Sequence, residues 1–206
     1  VKIFPGSVIS AIPQDLKYKG EESLVYIKDS AVIREYVTIN RGTSDKYKTT
    51  IGSNSLLMAY THIAHDCYIG DNCIIANAVN IAGHVWLSDY ALIGGLTAIQ
   101  QFVNIGEFVM VSGGSLVRKD VPPYTKAARE PLSYVGINSI GMRRRGIDPD
   151  KIKEIQDIYR YIYLKGKNIS QALSVVETEL PATQERDDII SFIRASERGI
   201  MRGYRP

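Results

Sequence analysis

The three histidines of this chain, His62, His65 and His84, are confined to the segment between residues 62 and 84. A neutral imidazole can accept a proton near neutral pH, and it is also a common zinc ligand. The same segment contains Asp66, a carboxylate able to orient an imidazole, and Gly83, whose bare backbone N–H can stabilise an oxyanion. The residue types therefore allow two kinds of chemistry, general base catalysis and metal binding.

A six-residue repeat surrounds these histidines. From residue 51 onward an aliphatic residue recurs at every sixth position, and the fourth residue after each is small or β-branched. The aliphatic residues are Ile51, Leu57, Ile63, Ile69, Ile75, Ile81, Leu87, Ile93, Ile99, Ile105, Val111 and Val117. Neither the roughly 3.6-residue period of a helix nor the alternation of a strand gives this spacing. The repeat predicts a parallel β-helix, a solenoid whose aliphatic residues stack in the interior.

This pattern resembles that of the hexapeptide-repeat acyltransferases, in which three repeats form one left-handed triangular coil. The resemblance implies that each residue stacks on the residue 18 positions later, so that Gly83 lies over His65, Gln101 over Gly83, and His84 over Asp66. None of the histidines occupies a repeat position that points into the interior. A role at the surface is therefore predicted, either in chemistry or simply as a solvated side chain.

Two polar segments interrupt the repeat, and we expect loops near residues 13–24 and 42–50 of a β-helix that spans residues 1–140. The repeat ends after Tyr124. Asp148 and Pro149 have the types preferred at the N-cap and first position of a helix. Further helices are predicted near residues 170–179 and 185–201, so residues 146–206 should form a small C-terminal helical domain.

Charge is distributed unevenly along the chain, whose net charge is +3. From Arg118 onward the chain contains 17 Lys and Arg and 12 Asp and Glu, a net charge of +5. Residues 1–117 contain 8 Lys and Arg and 10 Asp and Glu, a net charge of −2. The C-terminal part is therefore a candidate surface for an acidic partner, although a merely soluble basic surface is an alternative. Cys67 and Cys73 lack the spacing of a zinc site and are interpreted as reduced packing residues.

The ends of the chain give two further expectations. There is no apolar run of about 18 residues and no segment with the layout of a secretion signal, so we expect a cytoplasmic protein without stable membrane insertion. The first residue is valine rather than methionine, which suggests that the natural start lies upstream.

Several short segments together resemble the UDP-N-acetylglucosamine O-acyltransferases of lipid A biosynthesis. They are His62–Cys67, Ala82–Val85, Ile93–Ala98, Asp120–Tyr124, Arg143–Gly146, Gln14–Tyr18 and Val37–Thr43. The resemblance covers essentially the whole chain. It implies direct transfer of a 3-hydroxyacyl chain from acyl carrier protein to the 3-hydroxyl of UDP-N-acetylglucosamine, with no covalent intermediate. It also implies a homotrimer with active sites between subunits, and we expect no cofactor, no metal and no nucleic-acid partner.

The resemblance also assigns roles to individual residues. It makes His65 the general base, Asp66 its partner and Gly83 the source of the oxyanion N–H. The residues that would contact the sugar nucleotide are Asp15, Lys17, His62 and His84, with Gln101, Asn138 and Arg144 or Arg145 near the nucleotide portion. Gly113 lies where the family sets acyl length, and its missing side chain favours a long chain. The arginines that could guide an acidic carrier are Arg143–Arg145, Arg194, Arg198, Arg202 and Arg205.

Two residues depart from the pattern of the family. Gln100 stands where well-known members have a histidine, and Ile140 stands where a glutamate is expected. The family also has further residues upstream that form its first coils.

Three other functions are compatible with the solenoid. An N-acyltransferase of the same pathway shares the fold and the donor. A zinc-dependent hydratase of the carbonic anhydrase type shares the fold, but its histidine spacing is wider than the one found here. A non-catalytic trimeric scaffold would not explain why the histidines are concentrated outside the interior positions.

Overall fold

The computed structural model describes residues 1–203, and Arg205 lies outside the described residues. The strands are, in chain order, β1 (Lys2–Ile3), β2 (Val8–Ala11), β3 (Leu24–Ile27), β4 (Val32–Ile33), β5 (Thr38–Asn40), β6 (Lys48–Ile51), β7 (Leu56–Leu57), β8 (His62–Ile63), β9 (Tyr68–Ile69), β10 (Ile74–Ile75), β11 (Asn80–Ile81), β12 (Trp86–Leu87), β13 (Leu92–Ile93), β14 (Ala98–Ile99), β15 (Asn104–Ile105), β16 (Met110–Val111), β17 (Leu116–Val117), β18 (Thr125–Ala128), β19 (Ser133–Ile137) and β20 (Arg202–Gly203). The helices are α1 (Ser139–Arg144), α2 (Pro149–Leu164), α3 (Ile169–Glu179) and α4 (Gln184–Ala195).

Three sheets form the walls of a triangular solenoid. Sheet A has the order β1-β4-β7-β10-β13-β16-β18-β19-β20, sheet B the order β2-β5-β8-β11-β14-β17, and sheet C the order β3-β6-β9-β12-β15. In sheet B, His62 pairs with Asn80, Asn80 with Ala98, and Ala98 with Leu116, all in parallel. Each step is 18 residues, which confirms the predicted coil. We name the edges of the solenoid by the sheets that they join: the A–B, B–C and C–A corners.

The repeated aliphatic residues fill the interior as predicted. The twelve positions from Ile51 to Val117 are at most 2% exposed, and the small or β-branched positions beside them are also buried. Burial of one such aliphatic side chain contributes about 1.5–3 kcal/mol, so stacking of successive coils is the main source of stability in the solenoid.

Most corners are turned by one residue in the left-handed backbone region. At the B–C corner these residues include Asp66, with φ of 60°, and His84, with φ of 61°. Consecutive side chains of a strand point to opposite sides, but a left-handed residue breaks this alternation. The corner thus allows the side chains of His65 and Asp66 to meet.

Both loops leave the solenoid at the B–C corner. The first comprises residues 12–23, between β2 and β3, close to the prediction. The second comprises residues 41–47 and is shorter than the predicted 42–50, because Lys48–Ile51 pairs in parallel with Leu24–Ile27 as strand β6. The two loops therefore lie over the same corner as His65 and His84.

The segment that follows the repeat forms two strands before the first helix begins. After the repeat, β18 pairs in parallel with β16 and then forms an antiparallel hairpin with β19, which the sequence did not predict. Helix α2 begins as predicted, because the side chain of Asp148 accepts a hydrogen bond from the N–H of Asp150 at 2.8 Å.

One helix was missed and the end of another needs correction. The short helix α1 was not predicted. Helix α4 ends at Ala195 rather than Met201, because the segment after it is held by Asp120, whose Oδ2 accepts a hydrogen bond from Ser196 Oγ at 2.6 Å. The backbone oxygen of Asp120 also accepts a hydrogen bond from the N–H of Met201 at 2.9 Å. Within residues 1–203, no helix is long and apolar enough to cross a membrane.

Candidate active site

The centre of the site is a buried pair formed by His65 and Asp66. Nδ1 of His65 lies 2.9 Å from Oδ2 of Asp66, and the two residues are only 6% and 2% exposed. Because an ionised carboxylate can only accept hydrogen bonds, Nδ1 carries the hydrogen and Nε2 of the neutral ring is the free acceptor. This is the arrangement that a general base requires.

Asp66 is held by groups outside the solenoid wall. The backbone N–H of Thr43 donates to Oδ1 at 3.0 Å, and Oγ1 of Thr43 donates to Oδ2 at 2.6 Å. Burial opposes ionisation of Asp66, but the hydrogen bonds from Thr43 and His65 outweigh it, so its pKa lies below the ordinary value. Asp66 is therefore a carboxylate at neutral pH and can stabilise a protonated His65.

Gly83 lies directly against the ring of His65. A Cβ atom at position 83 would stand 2.6 Å from both Cε1 and Nε2 of His65, so only glycine leaves room for the imidazole. Among residues 1–203, no group accepts a hydrogen bond from the N–H of Gly83. A free donor beside Nε2 is suited to stabilise negative charge that develops on a reacting oxygen.

His84 lies on the next coil above Asp66, as the 18-residue spacing predicts. Its Nε2 is 3.8 Å from Oδ2 of Asp66, its ring packs edge-on against His65 at 5.0 Å, and it stacks on Phe102 at 4.5 Å. Oδ2 of Asp45 approaches Nδ1 of His84 to 3.2 Å, but without the alignment of a hydrogen bond. Burial, aided by His65, lowers the pKa of His84 although Asp66 and Asp45 oppose this.

His62 lies on the outer face of sheet B, in strand β8. Its Nδ1 is hydrogen-bonded to Oγ1 of Thr38 at 2.7 Å. Burial and, to a lesser degree, the charge of His65 lower the pKa of His62. Both His62 and His84 are therefore neutral hydrogen-bonding groups at neutral pH rather than fixed cations.

The first loop brings Asp15 to the free nitrogen of His65. Oδ2 of Asp15 lies 4.0 Å from Nε2 of His65, and Oδ1 of Asp15 accepts the N–H of Lys17 at 2.9 Å. A hydroxyl bound at Nε2 of His65 would thus have Asp15 beside it.

A metal ion would compete with these hydrogen bonds. His65, Asp66 and His84 each offer one ligand atom, and these atoms lie within 4.8 Å of one another. However, Oδ2 of Asp66 already accepts hydrogen bonds from Thr43 and His65, and a zinc ion would have to displace them. The donor set as arranged is better suited to proton transfer than to metal binding.

The remaining predicted residues lie on different corners. Gln101 is exposed on the B–C corner, one coil above Gly83. Gly113 lies on the A–B corner, between β16 and β17. Asn138 and Arg145 lie at the C–A corner, where the amide of Asn138 donates to the backbone oxygen of Phe108 at 2.8 Å.

At the C–A corner, Asn138 has a structural task. Its Oδ1 accepts the N–H of Gly141 at 3.1 Å, which caps helix α1, so its polar atoms are largely engaged within the chain. Arg144 is in the last turn of α1, and the guanidinium of Arg145 lies 5.2 Å from the ring centre of Tyr90. One chain therefore does not bring these residues together with His65.

Three polar residues of the site were not singled out from the sequence: Thr38, Thr43 and Asp45. Thr38 and Thr43 both fall in the segment 37–43 that carries part of the family resemblance. The sequence contained a signal for these residues, because the loop after β5 leaves the solenoid at the B–C corner, where His65 and His84 lie.

Comparison with known proteins identifies the family of the chain. A family profile described as UDP-N-acetylglucosamine O-acyltransferase, domain 2, matches residues 120–201, and one described as bacterial transferase hexapeptide matches residues 48–83. The chain is 57% identical over 204 residues to acyl-[acyl-carrier-protein]–UDP-N-acetylglucosamine O-acyltransferase of Aquifex aeolicus, covering 98% of this chain and 78% of that protein. The chain belongs to the UDP-N-acetylglucosamine O-acyltransferase family.

Other O-acyltransferases support the assignment over the same length. The enzyme of Sulfurihydrogenibium sp. is 55% identical over 200 residues, which cover 97% of this chain and 74% of that protein. The crystal structure of the UDP-N-acetylglucosamine acyltransferase from Bacteroides fragilis matches with a TM-score of 0.95 and 52% identity, covering 97% of this chain and 78% of that chain. The solenoid is therefore the left-handed parallel β-helix that was predicted, and the N-acyltransferase, hydratase and scaffold alternatives are not favoured.

Proposed function

We propose that this O-acyltransferase transfers a 3-hydroxyacyl chain from acyl carrier protein to the 3-hydroxyl of UDP-N-acetylglucosamine. The names of its relatives give the donor and the acceptor. The observation that carries the mechanism is the buried His65–Asp66 pair, whose free Nε2 lies against Gly83.

The reaction is a direct displacement at the thioester carbonyl. Nε2 of His65 takes the proton of the sugar hydroxyl while its oxygen forms a bond to the carbonyl carbon. The N–H of Gly83 stabilises the oxyanion of the tetrahedral intermediate, and Asp66 stabilises the protonated His65. The carbon–sulfur bond then breaks, and His65 returns the proton to the leaving thiolate.

The sugar nucleotide is proposed to lie between the first loop and the neutral histidines. Asp15, His62 and His84 would hydrogen-bond to the sugar, with Lys17 nearby on the loop. Because His62 and His84 are neutral, the charge of the diphosphate needs cations from elsewhere. Arg144 and Arg145 are suited to this task since guanidinium groups bind phosphate oxygens in pairs.

A homotrimer would complete the site. His65 lies on the B–C corner, Gly113 on the A–B corner and Arg145 on the C–A corner of one rigid solenoid. Different corners of one prism cannot converge, but those of neighbouring copies can meet across an interface. We therefore infer that each active site is shared between subunits. We also propose that the reaction takes place in the cytoplasm.

The carrier protein is proposed to dock at a basic groove between the last coil and the helical domain. This groove has a volume of about 860 Å³. The cationic side chains that line it are Arg118, Lys119, Arg129, Lys167 and Arg202, beside a single acidic residue, Glu130. Such a charge balance attracts an acidic partner.

The groove lies above His62 along sheet B. Leu116 at the groove is three paired strands above His62, a distance of about 14 Å at the usual strand spacing. The proposed docking surface includes Arg202 of the predicted arginines, whereas Arg194 is held by Glu177 in two hydrogen bonds of 2.8 and 2.7 Å.

A single assay tests the proposed function. The purified protein is incubated with UDP-N-acetylglucosamine and a set of 3-hydroxyacyl carrier proteins, and products are identified by mass spectrometry. We expect an acylated nucleotide sugar from the wild type and from Lys153→Ala, which changes an exposed residue of α2, but not from His65→Ala. No product from the wild type, or full activity of His65→Ala, would refute the proposal.

A further inference from the structure

Thr43 is the main contact between the second loop and the catalytic pair. It is 7% exposed and separated from Asp66 by 23 residues of chain. Its backbone N–H binds one carboxylate oxygen of Asp66 at 3.0 Å, and its hydroxyl binds the other at 2.6 Å. One residue thus fixes both oxygens of the carboxylate.

We propose that Thr43 is a positioning residue that acts on the reaction through Asp66. This inference rests on the proposed function, in which Asp66 orients His65. Oδ2 of Asp66 accepts from both the hydroxyl of Thr43 and Nδ1 of His65, so the hydroxyl sets the direction in which the carboxylate meets the imidazole. The two donors of Thr43 also favour the ionised carboxylate, which stabilises a protonated His65.

The approach of the loop to Asp66 is built into the backbone. A Cβ atom at Gly42 would stand 2.9 Å from Oδ1 of Asp66 and 2.2 Å from the backbone nitrogen of Lys48. Only glycine at position 42 therefore lets the neighbouring N–H of Thr43 reach the carboxylate. The contact depends on two consecutive residues rather than on one side chain.

The same segment ties the first loop to the catalytic pair. Oγ of Ser23 donates to the backbone oxygen of Gly42 at 2.6 Å, and the N–H of Ser44 donates to Oε1 of Glu21 at 2.8 Å. The loop that carries Asp15 is thus connected through residues 42–44 to Asp66. Loss of the Thr43 hydroxyl keeps these two contacts and removes within the loop only the acceptor of the Asp45 N–H at 3.3 Å, so catalysis and loop anchoring can be tested separately.

The experiment compares Thr43→Val, which removes the hydroxyl but keeps the N–H, with Thr43→Ser, which keeps both donors. We expect Thr43→Val to lower kcat about tenfold with the KM for UDP-N-acetylglucosamine nearly unchanged, since hydrogen bonds to charged groups are among the strong ones. Thr43→Ser should recover most of the activity. Thr97→Val, which removes a buried corner hydroxyl bonded to the backbone of Ser112, should leave kcat unchanged.

A double-mutant cycle shows whether Thr43 acts through Asp66. If it does, adding Thr43→Val to Asp66→Ala causes no further loss of kcat. An equal loss in both backgrounds, or wild-type kcat of Thr43→Val, would overturn the proposal.

A substrate-free measurement separates this proposal from the proposed function. The proton on Nδ1 of His65 should give a downfield NMR signal in the wild type and shift in Thr43→Val but not in Thr97→Val. An unchanged signal would contradict the positioning role even if no transferase activity were found. An inactive wild type with the expected shift would instead refute only the reaction.

Discussion

The ring of His65 occupies the space that a side chain at position 83 would need. The two residues belong to successive coils, and an added Cβ at Gly83 would lie 2.6 Å from Cε1 and Nε2 of the imidazole. His65 is held from its other side by Asp66 at 2.9 Å. The imidazole is thus fixed between a carboxylate and a bare stretch of backbone, and neither contact can change without moving the ring.

Replacement of Gly83 by alanine should displace the ring of His65. We expect a fall in kcat of about 100-fold, because misplacement of a catalytic group by about 1 Å can cost this much. Steady-state kinetics and circular dichroism would measure activity and folding. Gly95→Ala is the matched control, since Gly95 has the same repeat position but faces the backbone oxygen of Asn77 at the A–B corner. Equal loss of activity in both variants would show that solenoid packing, not ring position, is responsible.

The solenoid and the stacking of His65 under Gly83 could be predicted from the sequence. The length of 18 residues per coil came from the family resemblance, and once that length is given, residues 65, 83 and 101 must lie in one column. The contact of His65 with Asp66 was left open, because adjacent strand residues diverge unless the backbone turns, and the φ of 60° at Asp66 is visible only in the structure.

Contacts that depend on loops could not be predicted in this way. Thr43 meets Asp66 across 23 residues, and no periodic pattern links the two. The hairpin of β18 and β19 was missed because it lies beyond the end of the six-residue repeat, where no periodic pattern indicates it. The six-residue repeat is enough to predict the coil. The contact of Thr43 with Asp66 joins residues of different coils, so neither segment alone predicts it.

Mixed oligomers should test whether active sites are shared between subunits. His65→Ala and the double variant Arg144→Ala, Arg145→Ala should each have little activity alone, since they remove the base and the proposed phosphate contacts. When the two variants are unfolded and refolded together in equal amounts, about a quarter of the sites should regain activity. At these sites the wild-type His65 of one subunit meets the wild-type Arg144 and Arg145 of its neighbour. Each variant refolded alone is the control. No recovery in a mixture shown to contain mixed trimers would contradict shared sites.

Charge reversal in the basic groove should weaken use of the carrier protein. Lys167→Glu with Arg202→Glu should raise the KM for acyl carrier protein about tenfold, with a smaller effect at high salt, because screening weakens attraction between exposed charges. The KM for UDP-N-acetylglucosamine should not change. Arg160→Glu, a reversal on an exposed part of α2, is the control. An unchanged KM for the carrier would place docking elsewhere.

The contribution of Glu107 to the stability of the protein should fall as pH rises through the pKa of Glu107. Burial, together with the charges of Asp188, Asp89 and Glu185, raises this pKa above 4.5 although a hydrogen bond from Tyr124 opposes the shift. Because the pKa of Glu107 is higher in the folded state, its protonated carboxyl contributes to the stability of the fold. This contribution is fully present below the pKa of the unfolded chain and is lost as pH rises above the pKa of the folded protein.

Thermal unfolding between about pH 4 and pH 8 measures this effect. Glu107→Gln keeps an acceptor for Tyr124 but cannot ionise, so its Tm should rise relative to that of the wild type as pH rises. Glu179→Gln, at an exposed position of α3, should follow the wild-type curve. Parallel curves for all three proteins would contradict the assignment.

A side chain at position 113 should shorten the preferred acyl chain. Gly113 lies on the same coil as Leu116, which is about 14 Å above the level of His62, so only the far end of a long chain bound at His65 could reach it. A Cβ there would already be 3.0 Å from the backbone oxygen of Gly95, so a methionine must extend away from the coil. We expect Gly113→Met to favour shorter donors at least tenfold over the wild-type chain length, measured by competition between carrier proteins of different acyl length. Lys153→Met should keep the original preference, and an unchanged preference in Gly113→Met would show that the chain ends elsewhere.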